Sequence, residues 1–208
     1  MKVIALVSQK GGSGKSTLAT NLSAAAVRAK KRTLLIDLDP QQTAEAWFQD
    51  RDNDAPGLVT AEPKDLKEIL SRAKKAKMDM VIIDTAGRDE PATAAAVKAA
   101  DFCLVPCRPS PSDMKAIPPT AATIGRLGKP FAFVITQAPS RGPRIREAQV
   151  GLGMLGPVAP TPIVTRAAYQ DAQGVGQGVI EFEPKGKAAN EVSSLWNWLN
   201  RQMKKRHG

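Results

Sequence analysis

Residues 7–23 read VSQKGGSGKSTLATNLS, and no other stretch limits the fold as strongly. Glycines at 11, 12 and 14 separate an apolar run, KVIALVS (2–8), from a segment with Leu18, Leu22, Ala25 and Ala26 at helical spacing. The run reads as a buried strand, and residues 16–30 as a helix with one apolar face. A strand that enters a glycine-rich turn and leaves as a helix brings backbone N–H groups and the positive helix end to one point. Glycine permits the backbone conformations such a turn needs. The chain is therefore expected to contain a strand–loop–helix unit whose loop forms an anion nest.

The loop fits the right half of the phosphate-loop pattern G-x-x-x-x-G-K-[ST] through Gly14, Lys15 and Ser16. Gln9 stands where the first glycine belongs, and a second lysine, Lys10, stands beside it. On this pattern Lys15 reaches the β- and γ-phosphates and Ser16 ligates Mg²⁺. Gly11, Gly12, Ser13 and Thr17 complete the nucleotide cradle. Lys10 has two readings. One is a solvated surface lysine. The other follows from its place at the loop entrance, facing away from the nest that Lys15 enters. There it reaches a nucleotide held by a second subunit and neutralises charge during phosphoryl transfer, as an arginine finger does.

Two more stretches carry carboxylates at strand ends. In LLIDLDPQQ (34–42), Asp37 and Asp39 share one side of the chain. A capped turn explains them, since Asp before Pro opens turns. The carboxyl edge of a parallel sheet is also where ligands bind. There Asp39 orients or deprotonates an attacking water, and Asp37 holds a Mg²⁺-bound water. MVIIDTAGR (80–88) has the Walker B form, with Asp84 near the Mg²⁺ and Thr85-Ala86-Gly87 as a loop that senses the γ-phosphate.

Strands expected at 2–8, 32–39, 78–87, 101–109 and 130–137 alternate with helical segments. These are 16–30, one around Trp47 and Phe48, 63–77, PATAAAVKAA (91–100), DMKAIPPTAATIGRLG (113–128) and the final stretch 185–206. The helix at 113–128 is expected to be kinked or interrupted at Pro118–Pro119. VAPTPIV (158–164) reads as a short extended piece. The alternation implies one α/β domain over 1–208, a mainly parallel sheet with helices on both faces. Aromatics are only 4% of the chain, so Ala, Val, Ile and Leu must fill its core.

Thirty Lys and Arg against twenty acids give +10, a field that favours polyanions over neutral partners. Cys103 and Cys107 lie on one expected strand, four residues apart and so about 13 Å from each other, too far to bridge or share a metal. They read as core thiols, and an iron–sulfur reductase lacks suitable cysteines. His207, the one histidine, stands in the tail, which excludes catalysis by a buried histidine. Lys10 and the glycines interrupt the first apolar run, so no signal peptide is expected. No apolar stretch reaches membrane-spanning length. A cytoplasmic protein is expected.

KGGSGKST with Lys10, DLDPQ (37–41) and IIDTAG (82–87) together resemble the ParA/MinD family of P-loop ATPases with a deviant Walker A motif. PCRPSPSDM (106–114) and the region 166–192 resemble the short, ParF-like ParA proteins. The resemblance implies ATP and Mg²⁺ as cofactors. It implies that Lys10 contacts nucleotide across an ATP-bound sandwich homodimer and that Asp39 activates water. Asp84 would support the Mg²⁺ shell, and Gln137 and Pro162 would contact adenine. It further implies non-specific DNA binding by the ATP dimer through Arg166, Lys185 and Lys187, a patch extended by Lys204, Lys205 and Arg206. A ParB-like or cargo-adaptor partner would stimulate hydrolysis and release. The chain starts at its first strand, so no N-terminal winged-helix domain is expected. The alternative is a MinD-like membrane-surface switch using the last helix, whose stripe of Val192, Leu195, Trp196, Leu199 and Met203 either docks on its own domain or lies on lipid.

Overall fold

The computed structural model describes residues 1–87 and 90–204. Among them, six strands form one parallel sheet in the order β3-β2-β4-β1-β5-β6. The strands are β1 (Lys2–Leu6), β2 (Thr33–Asp37), β3 (Gly57–Thr60), β4 (Met80–Asp84), β5 (Phe102–Cys107) and β6 (Phe131–Ile135). The helices are α1 (Lys15–Arg28), α2 (Thr43–Gln49), α3 (Leu66–Lys75), α4 (Glu90–Ala99), α5 (Pro111–Lys115), α6 (Ile117–Arg126), α7 (Arg144–Gly153), α8 (Ala167–Gln173), α9 (Val179–Phe182) and α10 (Lys187–Lys204).

The strands read as continuous apolar runs because both sheet faces are covered. Alternate residues serve two cores. Ile4, Leu6, Leu35, Ile82 and Leu104 face a layer that contains α1, α2, α8, α9 and α10. Val3, Ala5, Ile36, Val81, Ile83 and Val105 face one containing α3, α4, α6 and α7. Cys103 and Cys107 belong to the second core, as free thiols that burial pushes up to about 12. They are inert at neutral pH.

All five strands expected from the sequence are present; β1 is shorter at its end only, and the other four are shorter at both ends. The extended piece at 158–164 runs beside β6, with Val158 bridging to Phe133 and Val164 to Ala138. The helix expected at 113–128 is divided at Ala116, and Pro118 and Pro119 fall in the first turn of α6. A missing N–H costs nothing there. The helix expected at 63–77 opens with a 3₁₀ turn at Pro63–Asp65. Four elements, β3, α7, α8 and α9, were not expected from the sequence; α8 and α9 are short, of seven and four residues. β3 is a four-residue edge strand, and α7 buries only Ala148 and Leu152, so these two leave no readable period.

Helix α10 docks on the domain. Val192, Leu195, Trp196, Leu199 and Met203 are all buried against the layer that holds α1 and α9. At about 2 kcal/mol per side chain, exposing this face would cost roughly 10 kcal/mol. That is comparable with the whole stability of a domain this size. No helix among the described residues is long and apolar enough to cross a membrane.

The sheet order reverses at β1, which lies between β4 and β5. Such a switch point opens a crevice at the carboxyl ends of the strands. The loops after β1, β2, β4 and β6 all reach it.

Candidate functional site

A cleft of about 540 Å³ lies at this crevice. Residues 11–17 form one wall, Asp39, Pro40, Gln41 and Thr43 another, and Ala86, Gly87 and Gln137 complete it. Gly12 and Gly14 have φ of 68° and 90°, left-handed values that a side chain would strain. Two carbonyls of the loop are held by the end of β6. The Thr136 hydroxyl donates to Ser13 O at 2.7 Å, and Gln137 Nε2 donates to Gly12 O at 2.8 Å. The backbone ladder of α1 starts with Leu18 N–H donating to Gly14 O. The N–H groups of Lys15, Ser16 and Thr17 therefore precede it, at the positive end of the helix.

Lys15 is 5% exposed, and its Nζ lies 3.5 Å from Lys10 O. Burial holds its ammonium below the ordinary lysine value, against the opposing charges of Asp84 and Asp39. Such a site gains by taking up negative charge. Lys10 itself is half-buried and does not line the cleft. Its charge acts on Asp113 of α5. Burial tends to raise the Asp113 carboxyl, but hydrogen bonds from Ser110 and Arg108 and the charges of Arg108 and Lys10 outweigh it, leaving the carboxyl below its usual range.

The three carboxylates differ in their partners. Asp37 is wholly buried and serves the turn. Its Oδ1 accepts Asp39 N–H at 2.9 Å, and its Oδ2 accepts Ala44 N–H at 3.1 Å and Glu45 N–H at 3.3 Å. Both Asp37 oxygens accept backbone N–H groups, Oδ1 from the turn at Asp39 and Oδ2 from the start of α2, which is the bonding expected of a capped turn. Asp39 is half-exposed at the cleft. Its Oδ1 accepts Gln41 N–H at 3.0 Å, and its Oδ2 has no partner among the described residues.

Asp84 is wholly buried, and neither of its oxygens has a hydrogen-bond partner among the described residues. Burial pushes its carboxyl up to about 7; the nearby Ser16 hydroxyl opposes the shift without reaching hydrogen-bond geometry. Two orphaned carboxylate oxygens beside a serine and a lysine fit a hydrated divalent cation. No group of three or more His, Cys, Asp or Glu residues suited to a metal occurs among the described residues. Mg²⁺ keeps several waters and takes ligands from substrate phosphates, so a single carboxylate with a serine is a donor set it can use.

Gly87 closes the cleft against the loop. A Cβ there would lie 2.9 Å from Gly11 N and 3.0 Å from Gly11 Cα. Gly87→Ala must push the loop out of register, and we expect it to weaken ATP binding at least about tenfold. Titration with ATP alongside far-ultraviolet circular dichroism checks this; affinity within twofold of wild type would show the contact to be unimportant.

A smaller cleft, of about 230 Å³, continues from the first past Gly14, Thr17 and Gln137, and Ile163, Val164, Thr165, Arg166, Tyr169 and Gln170 form its far side. Pro162, expected at adenine, is not among its lining residues; Ile163, Val164 and Thr165 are. Arg166 lines this cleft and is ion-paired to Glu191. Lys185 and Lys187 are exposed at the start of α10. Lys204 lies about 25 Å further along the helix, which rises about 1.5 Å per residue. It stands with Lys31 and Asp79 at the opposite edge of the sheet, so it does not extend the patch expected around Lys185. Lys205 and Arg206 lie outside the described residues. Exposed Lys30, Lys31, Arg32, Lys74, Lys75 and Lys77 also stand at that opposite edge, where they offset the negative ends of α1 and α3.

Thr43, Thr136 and Glu191 were not singled out from the sequence. Thr43 carries no motif, and Thr136 and Glu191 act on residues distant along the chain.

Comparison with known proteins bears on this geometry. The family profile described as the CobQ/CobB/MinD/ParA nucleotide binding domain matches residues 4–172. A Halothiobacillus neapolitanus protein named maintenance of carboxysome distribution protein A is 30% identical over 204 residues, spanning 93% of this chain and 94% of the relative. The Aquifex aeolicus MinC:MinD cell division complex contains a chain of the same fold, with TM-score 0.81, 17% identity and 96% of each chain covered. Pyrococcus horikoshii MinD, solved with Mg-ADP, superposes with TM-score 0.77 at 19% identity, covering 97% of this chain and 96% of that one. With the phosphate loop, the switch-point cleft and a family profile over most of its length, the chain belongs to the CobQ/CobB/MinD/ParA family of nucleotide-binding domains, on its ParA/MinD side.

Proposed function

We propose that the protein is a Mg²⁺-dependent ATPase switch that positions a cargo. Its ATP-bound dimer holds duplex DNA without sequence preference, and a partner protein triggers hydrolysis and release. The observation that carries the reading is the cleft itself. A buried lysine, a row of helix N–H groups and a partly unpaired Asp39 line one space, and Asp84 lies wholly buried behind it, beside Ser16 and Lys15. Each suits one part of a nucleoside triphosphate or its attacking water.

In this reading Lys15 and the N–H groups of residues 11–17 bind the β- and γ-phosphates. Ser16 and Asp84 hold Mg²⁺, which offsets phosphate charge when bound. Asp39 orients and deprotonates the attacking water. Lys10 lies outside its own cleft, which suits a cation that serves the nucleotide of a second protomer. The relative named for carboxysome distribution makes a carboxysome-like body as fitting a cargo as a plasmid or chromosome. A membrane-surface switch would need the apolar face of α10, and that face is in the core.

The experiment is binding to random-sequence duplex DNA with ATP–Mg²⁺, with ADP and without nucleotide, across a salt series. Tight binding only with ATP, falling steeply with salt, is expected. Lys185→Glu/Lys187→Glu should weaken it at least about tenfold. Lys30→Glu/Lys31→Glu, with the same charge change at the opposite edge, should leave it within about threefold. Equal losses from both pairs would reduce the interface to net charge. Absence of binding in every state would end the DNA reading.

A further inference from the structure

Glu191 lies in the first turns of α10, far along the chain from the phosphate loop, yet it ties together one side of the smaller cleft. Its Oε2 accepts the Val164 N–H at 3.2 Å and the Tyr169 hydroxyl at 3.3 Å. Its Oε1 accepts Arg166 Nε at 3.0 Å and Nη2 at 2.5 Å. The two side chains are 13% and 25% exposed, so the pair is shielded from water. Its charge is felt by its partners: the Arg166 guanidinium is held above its ordinary value by the hydrogen bond to Glu191, and burial followed by that carboxylate raises the Tyr169 phenol. Val164, Arg166 and Tyr169 all line the smaller cleft. Backbone bonds pin the chain only at alternate positions here, from Ile163 N–H to Ile135 O and from Thr165 N–H to Ala138 O.

The phosphate loop supplies the groups a polyphosphate needs. The smaller cleft opens from it past Gly14 and Thr17 and is walled by Ile163, Val164 and Tyr169, an environment for a flat, largely apolar ring. We propose that Glu191 is the positioning residue of this base pocket, and that by holding residues 164–169 it makes the site prefer a nucleotide to a bare polyphosphate. The proposal rests on reading the main cleft as a nucleotide site. Every group that meets Glu191 is a donor. A glutamine of the same shape would turn an NH₂ toward N–H or O–H groups on one side and leave Arg166 without its counter-charge. The wall would shift while the phosphate loop, tied to Thr136 and Gln137, would not.

The test measures binding of ATP–Mg²⁺ and of Mg²⁺-tripolyphosphate, which has no base, to wild type and Glu191→Gln. The ATP Kd should rise about tenfold and the tripolyphosphate Kd stay within about twofold. KM for ATP should rise while kcat at saturation is kept within about twofold. Equal weakening for both ligands would mean a general structural role and overturn the proposal, as would no change for either. If Glu191→Gln does not fold, Tyr169→Phe removes one hydroxyl from the same network. It should raise the ATP Kd about threefold with tripolyphosphate unmoved, and an unchanged ATP Kd overturns the proposal. Wild type that binds neither ligand would defeat the nucleotide reading itself, an outcome separate from a selective failure of Glu191.

Discussion

Asp39→Asn is expected to lower ATP turnover at least about 100-fold while ATP affinity stays within about twofold of wild type. Asp39 stands just past β2 at the mouth of the cleft. One oxygen is fixed by the Gln41 N–H, and the other has no partner among the described residues. A fixed carboxylate with a free oxygen is suited to take a proton from water. The amide keeps the shape and the bond to Gln41 but loses the basicity. On the proposed function, ground-state phosphate binding falls to Lys15 and the loop N–H groups, so affinity should be kept. Phosphate release and fluorescent-nucleotide binding, measured on the same preparations, separate the two effects. Turnover within about threefold of wild type would remove Asp39 from the reaction.

The second large effect is a dependence of stability on pH. Asp84 in the nucleotide-free protein is pushed up to about 7 by complete burial, with the negative charge of Asp37 adding to it and Ser16 and Lys15 opposing. The unfolded chain loses this proton near the ordinary value of 3.8. Between the two values the folded state holds a proton that the unfolded state has released. Stability therefore falls as pH rises from about 4 to about 7 and is level above, a loss of up to roughly 4 kcal/mol. Asp84→Asn has no such proton. Free of nucleotide, it should melt higher than wild type at about pH 8, with the gap closing toward about pH 5. With ATP–Mg²⁺ the order should reverse, because only wild type gains a cation beside the carboxylate. Thermal melts at both pH values, with and without ATP–Mg²⁺, give the answer. A gap between the two proteins that does not grow with pH would show that Asp84 is ionised in the empty site.

Much of the site was legible because its chemistry is local. A phosphate loop requires its glycines, lysine and serine within eight positions, and a strand end requires only one carboxylate after an apolar run. Those signals survive in a single sequence. The carboxylates were harder to rank. Asp37 and Asp39 carry the same local signal, a carboxylate at one strand end, and only the path of the chain into α2 aims backbone N–H groups at both oxygens of Asp37 while one oxygen of Asp39 has no partner among the described residues. The basic residues were harder still. Lys187 and Lys204 share a helix, but its length sets them at opposite edges of the sheet.

By itself the sequence determined the alternation of strands and helices, the loop that follows the first strand, and the apolar stripe of the last helix. Each is a pattern among near neighbours, set by the periods of strand and helix. Tertiary structure alone decided the strand order that opens a cleft at β1 and the docking of the α10 stripe. It also joined Thr136 to the loop and Glu191 to the wall at 164–169. Those contacts link residues far apart in the chain, and no local period encodes which distant partner a donor will meet.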